Sequence, residues 1–258
     1  MFAAIGRIKS DAFVEAAISL SNGVGACHEY AQSCPRNKNA GMTHHDGWGA
    51  VYRNQDRWEC LRGALPIGED WQTGQLRGIS TGALVIHVRN ASIQNKTGIG
   101  FVHPVRRDFE GGPGYFFHNG FAPDAYSLLN RTTSQWDSEE LCDWLMPALW
   151  MNDIEAVKKR LSKLPSSTTA ANFIFVTPDS MVICNWFSEP HPQPKYFTMW
   201  YSNSEQGRIF ASEPLPQICP FDQWTPMENQ TVQVISLQPE TSLQPKMKSF
   251  SAISIAHE

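Results

Sequence analysis

The stretch Asp137–Leu164, DSEELCDWLMPALWMNDIEAVKKRLSKL, divides the sequence into two strand-rich halves. It reads as two helices, Asp137–Trp150 with Pro147 near its end and then Ile154–Leu164. On its N-terminal side lie short strand patterns at Gly49–Arg53, Trp58–Arg62, Ala83–Arg89 and Gly114–His118. On its C-terminal side strand patterns recur at Asn172–Thr177, Met181–Phe187, Tyr196–Tyr201, Arg208–Ala211 and Thr231–Ser236, separated by Pro-rich turns. Further out, Met1–Gly6 is a short apolar run suited to a buried strand. Asp11–Leu20 carries Phe13, Val14, Ala17 and Ile18 at helical spacing behind Ser10 or Asp11 as a cap. Ser21–Met42 shows no period and reads as a long loop with at most one helical turn. Strands, then helices, then strands predict a layered α+β fold rather than a parallel βαβ wind. With no repeat, low-complexity tract or linker, residues 1–258 read as one domain.

Composition bounds the function. Of the 258 residues, 41% are hydrophobic and 18% charged, which suits a soluble globular chain with a sizeable core. A formal net charge of -4 offers no basic excess for a nucleic-acid backbone or a membrane surface. No basic leader precedes an apolar run, and no window approaches the roughly 18 apolar residues of a spanning helix. The six cysteines (Cys27, Cys34, Cys60, Cys142, Cys184, Cys219) are scattered without CxxC spacing. That pattern predicts reduced thiols and a cytoplasmic location, with Cys27 and Cys34 a pair that oxidation could join.

Four clusters have the residue types of a site. His44-His45-Asp46-Gly47-Trp48-Gly49 sets two imidazoles, a carboxylate and an indole among glycines. It suits a strand-entry turn with a core Trp, or a backbone that approaches a ligand. His87-Val88-Arg89-Asn90-Ala91-Ser92 ends an apolar strand with an arginine, whose fork fits a carboxylate from a ligand or from the protein. Phe116-Phe117-His118-Asn119-Gly120 ends in Asn-Gly, a hairpin signal. The same pair can present a side-chain amide and a backbone N–H as a two-donor oxyanion hole. Asp137-Ser138-Glu139-Glu140 matches a capping box, yet an Asp at a helix start can also receive an ammonium. His103-Pro104 lies between the second and third clusters. As metal ligands, His44, His45, Asp46, His87, His103 and His118 lack HxH or HExxH spacing, and no metal or other cofactor is expected.

Taken in order, HxDGWG, HVRxAS, HP, FxHNG and a helix-opening DSEE resemble the class II glutamine amidotransferases of the N-terminal-nucleophile hydrolase superfamily, in their stand-alone YafJ-like type. Ala211-Ser212-Glu213-Pro214-Leu215, Trp224 and the final apolar strand resemble that group's ending, so the likeness runs to about Leu237. The resemblance implies a four-layer αββα sandwich. It further implies that Arg89 grips the α-carboxylate of glutamine with Ser92 assisting, and that Asp137 holds the α-amine. Asn119 and Gly120 would form the oxyanion hole, and Asp46 and Trp48 the pocket floor. The partners implied are a small-molecule substrate, glutamine or a γ-glutamyl amide, and a protein that accepts ammonia unless the bond is simply hydrolysed.

One position departs. The family nucleophile is an N-terminal cysteine whose own α-amine is the general base, and residue 2 here is Phe2. Met1-Phe2-Ala3-Ala4-Ile5-Gly6 resembles the strand that follows Met-Cys-Arg in that group, which implies a start three residues late. The alternative is a catalytically silent homologue that binds glutamine or a partner protein.

Overall fold

The structure is a computed structural model and describes residues 1–24, 43–93, 95–191, 194–205 and 207–237. The expected loop beyond residue 24, with Cys27 and Cys34, lies outside them. The chain opens with β1 (Phe2–Lys9) and α1 (Ser10–Ser21), then β2 (Trp48–Asn54), β3 (Arg57–Gly63) and β4 (Ser80–Val88). β5 (Val105–Phe109) and β6 (Gly112–Phe121) lead into α2 (Asp137–Trp150) and α3 (Ile154–Leu161). β7 (Ala170–Val176), β8 (Ser180–Asn185), α4 (Pro194–Phe197) and β9 (Trp200–Ser204) follow. β10 (Gly207–Ala211), β11 (Thr225–Pro226) and β12 (Thr231–Ser236) complete the described elements.

The strands form two antiparallel sheets, in the orders β11-β9-β10-β1-β4-β2-β3 and β12-β8-β7-β6-β5. Three apolar cores follow from strand alternation, because successive side chains point to opposite faces. Phe2, Ala4, Ile8, Trp48, Leu84, Ile86 and Val88 pack with Phe13, Val14 and Ala17 of α1. Met1, Ala3, Val51 and Val85 meet Phe117, Ile174 and Ile183 between the sheets. Phe116, Phe173 and Phe175 meet Leu141, Leu145, Leu149 and Val157 of α2 and α3. β7 is buried along its whole length, as a strand covered on both faces must be.

Several expectations need correction. Asn119-Gly120 makes no hairpin: β6 continues through it, with Asn119 across from Asn172 and Gly120 across from Ala171. Tyr196–Tyr201 is the end of α4 and the start of β9 instead of one strand. Neither Ser10 nor Asp11 caps α1. Ser10 Oγ accepts from Ile79 N (2.9 Å) and Asp11 Oδ1 from Gly78 N (3.1 Å), tying the helix start to the chain before β4. The capping box at α2 is also displaced: Trp136 is the cap, and Glu140 reaches back to Gln135 N (2.7 Å) and the Ser134 hydroxyl (2.8 Å). β5 and a 3-10 turn at Trp71–Leu76 were not anticipated. Cys60, Cys142, Cys184 and Cys219 are free. Among the described residues no helix is long and apolar enough to cross a membrane.

Candidate functional site

Arg89 follows directly on β4, where the strand's period of two sets it on the same face as His87 and opposite Leu84, Ile86 and Val88. Two backbone bonds fasten the chain there: Arg89 N donates to Gly47 O (2.9 Å), and Asp46 N donates to Arg89 O (3.0 Å). Gly47 has φ +102°, and a Cβ there would also strike Val102 and Gly63, so this lock requires glycine. Asp46 Oδ2 accepts from Ala91 N (2.8 Å). Arg89 is only 7% exposed, and its Nη1 has no hydrogen-bond partner. Burial pulls the guanidinium pKa down, and the carboxylates of Asp46 and Asp137 pull it back up. The two acids that favour the cation belong to different segments.

The second sheet supplies the opposite wall. His118, Asn119 and Gly120 occupy the last part of β6. His118 Nδ1 lies 2.9 Å from the Ser138 hydroxyl. Asp137 Oδ1 accepts from Ser138 N (2.9 Å) and Oδ2 from Ala122 N (3.2 Å). The segment Asn119-Gly120 is therefore bracketed by two residues that bond the start of α2. A Cβ on Gly120 would lie 2.1 Å from Ala170 O, so only glycine fits. The β7 neighbour of Asn119, Asn172, donates to Phe197 O and accepts from Trp186 N (2.8 Å). Asn185, beside Asn172 if the β7–β8 register is continued, donates to Met227 O (3.0 Å) and Glu228 O (3.0 Å) and accepts from Met199 N (2.9 Å). In this row of three amides, the Asn119 side chain has no partner among the described residues.

The chain start belongs to the same place. The Met1 amine donates to Ser212 Oγ (3.1 Å), and Met1 O accepts from Ser212 N (2.8 Å). Burial lowers that amine's pKa to about 6, against a raising effect of Glu213. The amine in turn disfavours protonation of His44, His87 and His103. His44 is lowered to about 4, first by burial. Burial likewise holds His87 and His103 neutral, and it lowers His118 against the pull of Asp137.

The structure thus links Arg89 with Asp46 and Asp137 through their charges, and Asp137 with the chain just past Asn119 and Gly120. It does not gather Trp48 or Ser92. The Trp48 indole points into the α1-side core and donates to Asp70 Oδ2 (3.1 Å). Ser92 is exposed. Asn172 and Asn185 were not anticipated; their only signal was an amide inside an otherwise apolar strand. Among the described residues no group of three or more His, Cys, Asp or Glu is arranged to hold a metal ion. A buried cation, a half-buried acid and an unpartnered amide have the chemistry to bind a zwitterion next to a polar carbonyl.

No protein-family model matches the sequence, and no curated protein matches it. Solved structures do share its fold. The glutamine phosphoribosylpyrophosphate amidotransferase of B. subtilis, solved with ADP and GMP, aligns over 92% of this chain at 17% identity, with a TM-score of 0.57. A structure described as the allosteric regulatory enzyme of purine biosynthesis aligns over 92% at 18% identity, with a TM-score of 0.60. The chain spans about half the length of both, 49% and 48%. A glutamine aminotransferase class-II domain protein from Silicibacter pomeroyi aligns over 91% of this chain and 93% of its own, at 15% identity with a TM-score of 0.56. At these identities the likeness concerns the fold.

Proposed function

We propose that this chain is a glutaminase-type domain that binds glutamine or a γ-glutamyl amide and, when a cysteine leads β1, cleaves its amide. The observation that carries the reading is the buried Arg89, with an unpartnered Nη1, on the β4 face that Val85 turns toward the second sheet and under the pull of both Asp46 and Asp137. Arg89 would take the α-carboxylate, Asp137 the α-ammonium, and Asn119 with Gly120 the γ-carbonyl oxygen. The order helix, sheet, sheet, helix supports the four-layer sandwich of N-terminal-nucleophile hydrolases.

Strand alternation supports the Met-Cys-Arg extension. Phe2 pairs with Ile86 and Ala211, and its ring packs 6.0 Å from Phe13 on the α1 side. The Phe2 position therefore faces away from the candidate site. Met1 faces between the sheets. Continuing the β1–β4 register places Met1 across from His87, and a residue two places earlier across from Arg89. A Cys in Cys-Arg-Met1 would share the face of Met1 and lie next to Arg89. Its sulfur would bond to the γ-carbonyl carbon while its α-amine carries the thiol proton to the departing nitrogen. Water would then split the thioester, freeing glutamate and regenerating the thiol. The released ammonia would pass to a partner protein or to solvent.

The test uses this chain and the same chain extended by Met-Cys-Arg, measuring ammonia and glutamate release together with glutamine binding. We expect binding by both and turnover by the extended form alone. Binding with no turnover in either favours the silent homologue, for which the buried Phe2 ring is the supporting observation. No binding by either removes glutamine as the ligand.

A further inference from the structure

One residue touches all three segments that carry the charged groups of the site. The ring of His103 lies 4.3 Å from that of His87 and 5.2 Å from that of Trp136, centroid to centroid. His87 shares a strand face with Arg89, two residues on, and Trp136 immediately precedes Asp137. The backbone of His103 presses on Gly49, where a Cβ would fall 1.8 Å from the His103 carbonyl oxygen, and Gly49 is three residues past Asp46. His103 is therefore wedged among the mounts of Arg89, Asp137 and Asp46.

Packing alone does not call for an imidazole here. His103 is 3% exposed and His87 5%, and a phenyl ring would fill the same space without buried nitrogens. Both ring nitrogens of His103, Nδ1 of His87 and Nη1 of Arg89 have no hydrogen-bond partner. Leaving buried polar atoms unmatched is costly, and a small space with two to four of them is where globular proteins keep ordered water. Burial, reinforced by His118, Arg89, Arg62 and the chain-start amine, holds the His103 ring neutral, so it offers one donor and one acceptor.

We propose that His103 is a positioning residue for the ligand grip, its ring fixing the separation of Arg89 from Asp137 and its nitrogens, with those of His87, holding ordered water against Arg89 Nη1. The role rests on the ligand reading given above. A zwitterion spans two charged groups at a set distance, so a mount that lets them drift weakens both contacts at once.

Three forms of this chain test it: the parent, His103→Phe and His103→Asn. L-glutamine affinity is measured by calorimetry, folding by thermal melting, and the parent is crystallised at a resolution that shows water. We expect His103→Phe to melt no lower than the parent yet bind glutamine ~10-fold more weakly, since the ring is kept and only its nitrogens are lost. His103→Asn, which keeps a donor and an acceptor, should recover part of that loss. Parental affinity in His103→Phe overturns the proposal, as does a dry gap between His103 and Arg89 in the crystal. If the parent fails to bind glutamine, the glutaminase reading falls by itself. The crystal then still decides the role of His103: water joining it to Arg89 upholds the positioning, and a dry gap ends it.

Discussion

Asn119 and Asn172 are cross-strand neighbours with different tasks. Asn172 is bonded on both its nitrogen and its oxygen to backbone groups of residues 197 and 186, whereas the Asn119 amide stays free among the described residues. The sequence made Asn119-Gly120 visible but for two incompatible reasons, a turn and an oxyanion hole, and local chemistry could not choose between them. Pairing with β7 chose, because a strand hydrogen-bonded through Phe121 cannot reverse at Gly120. His103 was visible as half of a His-Pro pair and as one of several histidines weighed as metal ligands, but not as a packing residue, since its contacts are with residues 16 and 33 positions away in the chain. Arg89 and Asp137 were legible because charged residues next to apolar elements must find partners. Gly120→Ala tests the closeness of the two strands. The added Cβ meets backbone at Ala170 O, which cannot swing aside, so we expect a loss of about 1–3 kcal/mol, read by chemical denaturation. Unchanged stability would mean that β6 and β7 leave room for a Cβ at residue 120.

At the scale of elements, α2 was legible to the residue, and β12 as well, because both are bounded by clear changes of pattern. Tyr196–Tyr201 was not, because its aromatic residues serve a short helix and a strand in succession. β1 was legible as a strand, but its two faces were not, since facing depends on which strands and helix pack against it. Those faces give a sharp prediction. Extending the chain by Met-Cys alone also yields an N-terminal cysteine once the initiator is removed. However, that residue takes the face of Phe2 and points toward α1. Glutamine hydrolysis should therefore appear with Met-Cys-Arg and be at least ~100-fold lower with Met-Cys, the scale on which a misplaced catalytic group acts. Equal rates from the two would show that the strand register does not continue past Met1.

At the scale of the molecule, His44, His87, His103, His118 and the chain-start amine are all buried or half-buried among the described residues, and their protonation is linked to folding. The folded amine has a pKa of about 6 against an ordinary 8.0, so the unfolded chain binds the extra proton as pH falls from 8 to 6. His44 at about 4, and His87, His103 and His118 below 6.5, extend the same sign of linkage downward. Each histidine held neutral removes up to about 1.4 kcal/mol per pH unit below its unfolded value. The melting temperature should thus fall steadily from pH 8 to pH 5, and a flat profile would place these groups in contact with water. The row of amides in the second sheet also governs how the two sheets separate. Asn172 and Asn185 hold residues 197–199, and the chain passes from there straight into β9 of the other sheet. These bonds rivet the sandwich beside Asn119, so the sheets open first at the opposite edge, and the end that holds the charged groups is the last to gape.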